Sequence, residues 1–365
     1  MKKSKKIGGK VIGHGGFGCA FHPNIMCELN EDGKTKKMKP NKKFVSKLMH
    51  SEKYFEDEFN DVQMLDKYLS QIPDNEKYFL YKVQKCKPLH ISNQDLKGIK
   101  ECHKISDLSK SEMLNFNTLL VEYGGQTVYD FVEKYHRNRK LMKTVYKVLL
   151  NLFEKAIIPL NLIHVYHSDL KLDNLLFLHS NIKIIDFGFV SFFDPVKDNI
   201  VPHKFETFPW QFNMPVTVAL FDPDISRLIT SEFNAGKSFA SIGKAIVQYC
   251  FDNGRKGHYT SLSEMFDECN KTFKGNFDLF LATTFATVIK HYMVNDIFDS
   301  FSYFTEYYSY NVDVIGFMTC VYDFGRYCKN KKKLEKLYFK IAYDCFLEKI
   351  NKQQLLIDLN SLHLF

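Results

Sequence analysis

No apolar stretch of this 365-residue chain reaches the roughly 20 residues that a helix needs to cross a bilayer. The opening segment MKKSKKIGGKVIG is basic but has no apolar core of the kind a secretion signal carries, so export is not expected. Nine cysteines (19, 27, 86, 102, 250, 269, 320, 328 and 345) include no Cys-x-x-Cys pair. Their odd number and loose spacing predict reduced thiols in a cytoplasmic setting. Cys86, His90, Cys102 and His103 could be assembled into a zinc set, but their spacing follows no common ligand pattern, and ordinary core or loop roles are expected. Arginine is scarce, five residues against 45 lysines, a bias that fits an A·T-rich coding sequence rather than a mechanism.

What is abundant argues for a packed protein. Hydrophobic residues make up 45% of the chain, with 34 Phe and 20 Tyr, which excludes disorder. The length suits one large or two modest domains. The net charge of +8 is concentrated: residues 1–47 hold twelve lysines against three acids, a local balance of +9. Most of the excess lies in the N-terminal tail and in DGKTKKMKPNKK (32–43). The plainer reading is a solvated loop and tail. The functional one is contact with an acidic partner, a nucleic acid or a membrane surface. No aromatics interleave these lysines, which weakens the single-stranded nucleic-acid version.

GHGGFGCAF (13–21) packs Gly13, Gly15, Gly16 and Gly18 around Phe17. A lone G-x-G-x-x-G is a weak motif. Dinucleotide binding would need a helix at once and an acid some 20 residues on. CAFHPNIMC follows instead, with a proline and no helical period. The remaining readings are a ligand-free hairpin or a hairpin lid over nucleotide phosphates. Next, KFVSKLM (43–49) alternates like a strand and sets Lys47 on one face, where a lysine can bridge two phosphates if an acid holds it. SEKYFEDEFNDVQMLDKYL (51–69) reads as a helix capped by Ser51, with Phe55, Phe59, Val62, Leu65 and Leu69 on one face. Glu58 and Asp61 are both candidates to hold Lys47: Glu58 reaches further, and Asp61 directly precedes the apolar VQML.

The densest chemistry lies in VYHSDLKLDNLLF (165–177) and IKIIDFGF (182–189). The stretch between reads as two short strands around a turn at His179–Asn181. That hairpin would bring Asn174 and Asp186 to one end as oxygen ligands for Mg²⁺, which prefers few protein oxygens plus substrate phosphates. Asp169 would face an attacking hydroxyl, and Lys171 would neutralise the group in flight.

Taken in order, these motifs resemble the eukaryotic-type protein kinases. GHGGFGCA is similar to their Gly-rich loop, with Ala20 where valine is usual; VSK ending in Lys47 to the strand-lysine motif; HSDLKLDN to the catalytic loop; DFG stands intact at 186–188. LLVEYGG (119–125) resembles the strand entering the hinge, with Val121 near the gatekeeper position. NVDVIGFMTC (311–320) resembles the start of the buried helix of the large lobe, with Asp313 as its aspartate. The resemblance implies an α+β, bilobal fold. A small β-rich lobe with one helix would span residues 1–122, with a basic insertion at 24–42. A mainly helical lobe would span 123–365, with an insertion at about 217–304. It implies ATP and Mg²⁺ as cofactors and transfer to Ser/Thr hydroxyls of proteins, with Lys47, Asp169 and Lys171 catalytic and Asn174 and Asp186 on the metal. Gly13, Gly15, Gly16, Phe17, Gly18 and Lys47 would bind ATP, with backbone groups of Glu122 through Gly124 offered to adenine. The opening, the lysine-rich composition and the late D-V motif look similar to divergent serine/threonine kinases of large nucleocytoplasmic DNA viruses, which implies a viral protein of the host cytoplasm or virion.

Two departures qualify the likeness. Ser168 stands where the family has an arginine that holds a phosphorylated activation loop, so switching of that kind is not expected. No A-P-E follows the DFG; FPWQFNMPV (208–216) fills that region, and Pro209 or Pro215 would mark the segment's end. The alternatives are a pseudokinase scaffold, or a small-molecule kinase of the aminoglycoside or choline type.

Overall fold

Ser51 opens the first long helix: its side chain accepts the Tyr54 N–H, and helix α1 then runs over Glu52–Leu69. Before it lie β1 (Lys10–His14), β2 (Gly18–His22), β3 (Met26–Glu31), β4 (Lys34–Met38) and β5 (Phe44–Met49); β6 (Val83–His90) and β7 (Thr118–Glu122) follow. All seven strands form one antiparallel sheet ordered β1-β2-β5-β7-β6-β3-β4. Helix α1 seats Phe55 against Met49 of β5 and Leu119 of β7, with Phe59 and Val83 at the margin. This computed structural model describes residues 9–14, 18–31, 34–91, 95, 97, 99–100, 102, 105, 109–270, 276–344 and 346–365. The fold is α+β, in two compact units: residues 1–125 with 183–188, and residues 126–182 with 189–365.

Two expectations for the first unit are corrected. The basic stretch before Lys47 is solvent-facing as expected but is not all loop: Lys34–Met38 form β4, paired with β3 at the sheet edge next to β6, while the tail at 1–8 lies outside the described residues. Cys27 and Leu29 point into a small core with Cys86 and Leu120, while Lys34, Thr35, Lys36 and Lys37 of the edge strand β4 are exposed. Lysines on an edge strand discourage pairing with a further chain. The reduced-thiol reading fails for four cysteines: Cys19 is bonded to Cys102 and Cys27 to Cys86, with Cα atoms 6.2 and 5.5 Å apart. Sheet pairing of β3 with β6 sets Leu29 opposite Cys86, close enough for Cys27 to reach it. The zinc set that its spacing disfavoured is also precluded, since Cys86 and Cys102 sit in different disulfides; His103 lies outside the described residues.

In the second unit, helix Ser309–Phe324 is buried over almost its whole length and forms the centre. Val128–Tyr135 and Arg139–Leu152 precede the polar loop 167–174, and Lys331–Phe339 and Lys352–Ser361 close the chain. The insertion expected at about 217–304 is mostly helical: Pro223–Asn234, Phe239–Asp252, Tyr259–Cys269 and Phe277–Tyr292. Gly243 lets two of these meet, because a Cβ there would run into the Ala282 carbonyl. Among the described residues, no helix is long and apolar enough to cross a membrane.

Candidate functional site

Lys47 projects from β5 between Ala20 of β2 and Leu119 of β7. Its Nζ donates to both carboxylate oxygens of Glu58 at 2.8 Å and to Oδ1 of Asp186 at 2.9 Å. Of the two acids the sequence offered, Glu58 is thus the one bonded to Lys47. Glu58 is buried, whereas the Asp186 side chain is 37% exposed. Burial alone would lower the Lys47 pKa, but the Asp186 and Glu58 charges outweigh it and hold the ammonium above its usual range. Burial also pushes the Glu58 carboxyl up, opposed by Lys47 and reinforced by the charges of Asp186 and Asp61. Asp186 sits at φ 64, a left-handed conformation that a non-glycine residue takes at a cost and that often marks functional positions. Phe187 is buried beside Phe79, which helps hold the turn.

The second unit builds another polar cluster. Asp169 is only 4% exposed, yet its carboxylate accepts from Lys171 Nζ at 2.8 Å, Asn174 Nδ2 at 2.8 Å and Asn213 Nδ2 at 2.8 Å. Three donors fix its plane. Asn174 also donates to the Asp169 carbonyl at 2.8 Å, so its amide nitrogen is committed and its oxygen is the end that can face a cation. The loop itself is anchored from below. Asp313 accepts the backbone N–H groups of His167 and Ser168 at 2.9 Å and the Asn161 amide at 2.7 Å. Ser168 is buried at φ 60, and its hydroxyl has no hydrogen-bond partner among the described residues. Asn213 escaped the sequence reading: it lies in FPWQFNMPV, where only the prolines drew attention, and a lone asparagine there carries no signal.

The glycine stretch divides. Gly15, Gly16 and Phe17 lie outside the described residues. Gly13 has open space where a side chain would stand, as a ligand approach requires. Gly18 is needed for a different reason, because a Cβ would collide with the Leu48 carbonyl of β5. At the end of β7, Glu122 pairs in register with Phe44, the Tyr123 N–H donates to the Lys43 carbonyl at 2.8 Å, and Gly124 is buried.

Chemically, one unit presents a lysine locked between two carboxylates, and the other presents an oriented carboxylate with a lysine and an amide. Such groups can hold anions, a hard cation and a proton. Among the described residues no cluster of three or more His, Cys, Asp or Glu has the makings of a metal centre. No protein-family model matches the chain, and no curated protein does.

Proposed function

We propose that this chain is an ATP-dependent protein serine/threonine kinase with a bilobal kinase-like fold, the first unit forming the small lobe and the second the large one. The observation that carries the reading is the Lys47–Glu58 ion pair with Asp186 on the same ammonium. In this chemistry the strand lysine must be held by a helix acid to grip the nucleotide phosphates, and the DFG aspartate must be in place. The α+β architecture, with an antiparallel sheet and one long helix ahead of a mainly helical region, supports the same reading.

The donors suit Mg²⁺: a half-exposed carboxylate on Asp186 and an amide oxygen on Asn174 are hard ligands, too few for a closed cage and suited to a metal shared with phosphates. When bound, the metal neutralises phosphate charge. Lys47 grips the non-transferred phosphates. Asp169 orients a substrate hydroxyl and takes its proton as the hydroxyl oxygen bonds to the γ-phosphorus and the bridging oxygen leaves with ADP. Lys171 balances charge on the phosphoryl group in transit, and Asn213 keeps the Asp169 carboxylate in plane. Since the protein performs almost no covalent chemistry here, rate rests on positioning and charge.

The test is transfer of labelled γ-phosphate from Mg-ATP to a generic Ser/Thr protein substrate, run beside an aminoglycoside and choline. Labelled protein serine or threonine is expected, with loss of at least about 100-fold for Asp169→Asn and Asp186→Asn. ATP binding without transfer to any acceptor would favour the scaffold reading, and transfer to the small molecules alone would move the enzyme to the other class.

A further inference from the structure

A cavity of about 610 Å³ opens in the second unit, away from the Asp169 cluster in its lining residues. Its apolar wall comes from Ile158, Leu162, Phe193 and Pro195, and its polar lining includes Lys352, Lys349 and His164. Among the described residues no aspartate or glutamate lines it. That size and mixture fit a small organic ligand.

Lys352 is the unusual member. The residue is 8% exposed, and its Nζ has one hydrogen-bond acceptor, Asn161 Oδ1 at 3.1 Å. An ammonium carries three donors. The ring of Tyr310 lies 4.3 Å from the nitrogen and is shared with Lys349, whose Nζ is 5.7 Å away. Among the described residues no carboxylate lies within ion-pair distance of Lys352. The nearest acid in its network is Asp313, already occupied by Asn161 and by the backbone of His167 and Ser168. Burial lowers the Lys352 pKa to about 8, with Asp313 opposing. A buried amine with one neutral partner, facing an acid-free cavity, lacks its counter-charge.

We propose that this cavity binds a small organic anion, an apolar or aromatic body bearing a carboxylate or phosphate, with its charge on Lys352 and its body against Phe193 and Ile158. Nothing in this depends on phosphoryl transfer by the chain. Lys349, exposed at the mouth, would assist the charge, and Tyr310 would keep both amines in place.

Calorimetric titration of the full chain with 2-naphthoate, 2-naphthyl phosphate and the neutral 2-naphthamide tests it. One or both anions are expected to bind at one site per chain, at least about tenfold more tightly than the amide, a difference equal to one charge-assisted contact. Whichever anion is tighter identifies the headgroup. Lys352→Met is expected to erase the preference for the anion. Should that variant fail to fold, the unaltered protein gives a second readout: acetylation of Lys352 by acetic anhydride, followed by mass spectrometry, is expected to slow with the tighter of the two anions and not with naphthamide. Binding of the tighter anion no stronger than that of the amide, no binding of either anion at millimolar concentration, or Lys352 acetylation indifferent to the tighter anion would overturn the proposal.

Discussion

A lysine shared by two carboxylates is more informative than the residues are singly. Lys47→Met would remove the one cation bonded to buried Glu58 among the described residues and leave that carboxyl beside Asp186. Loss of a partner from a buried pair costs about 3–5 kcal/mol. The expectation is a fall in stability and, under the proposed function, in phosphoryl transfer. Glu58→Gln in the Lys47→Met background should recover stability and leave transfer lost. If stability does not recover, the charge of Glu58 was not the cause. The acid was half legible in the sequence. Phe55, Glu58, Val62, Leu65 and Leu69 step by three and four, so Glu58 is an acid inside an apolar stripe. Choosing Phe59 for that stripe hid it. A second residue gives a pH test. Burial raises the Asp323 carboxyl to about 6, with Arg326 opposing. Its unfolded value is lower, so between about 4 and 6 the native state binds more protons and stability falls as pH rises; the cost is complete above 6. Asp323→Asn should therefore stabilise the protein at pH 7.5, by about 1–3 kcal/mol, and change little at pH 4. Equal effects at both pH values in urea melts would remove this titration as the cause.

At the scale of elements, the segment from Phe187 to Val216 is held by rings and one arginine. Phe205 is fully buried against Phe208, Phe221, Phe304 and Tyr308; Trp210 stacks on Phe285 and donates to the Val216 carbonyl. Arg255 pairs with buried Asp222 at 2.8 Å and also donates to the carbonyl of Thr207. Phe205 was not legible as the centre of this segment, because its ring partners come from residues as far away as Tyr308. Nor was Arg255, one of five arginines, legible as a clamp. Phosphorylation is poorly placed to do the same work. Ser191 is buried in a strand pairing with Tyr166, Thr207 is exposed with its hydroxyl donating to the Lys204 carbonyl, and Lys204 already donates to the Val190 carbonyl. Under the proposed function, phosphatase treatment, with residues 186–216 shown unmodified by mass spectrometry, should leave the transfer rate unchanged. Phe205→Ala should destabilise the second unit by about 3–5 kcal/mol. A hundredfold fall on dephosphorylation, restored by rephosphorylation, would reverse this assignment.

Across the whole molecule, the cysteines divide with the two units. All four in the first unit are paired, across 83 and 59 residues of sequence, whereas among the described residues of the second Cys250, Cys269, Cys320 and Cys328 are free; Cys345 lies outside the described residues. Pairing over such distances depends on which strands become neighbours, and no local spacing encodes that. The α+β class, the strand carrying Lys47 and the capped helix were legible because each is written in a few adjacent residues; the β3–β4 hairpin and the cross-links were not, because they depend on the sheet order. Each disulfide restricts the unfolded first unit and is worth about 2–4 kcal/mol. In the second unit burial pushes the Cys250 and Cys269 thiols up to about 12 and also raises the Cys320 thiol well above its usual range, which keeps them poor nucleophiles. Reduction should therefore act on one unit only. In scanning calorimetry, a reductant is expected to lower the transition of the first unit and leave that of the second in place. Cys27→Ser with Cys86→Ser should reproduce about half of the shift without reductant. Alkylation of the native, unreduced protein should spare Cys250 and Cys320. If mass spectrometry shows all four first-unit cysteines already free in the purified protein, or if reduction moves both transitions together, the division of the thiols between the units is wrong.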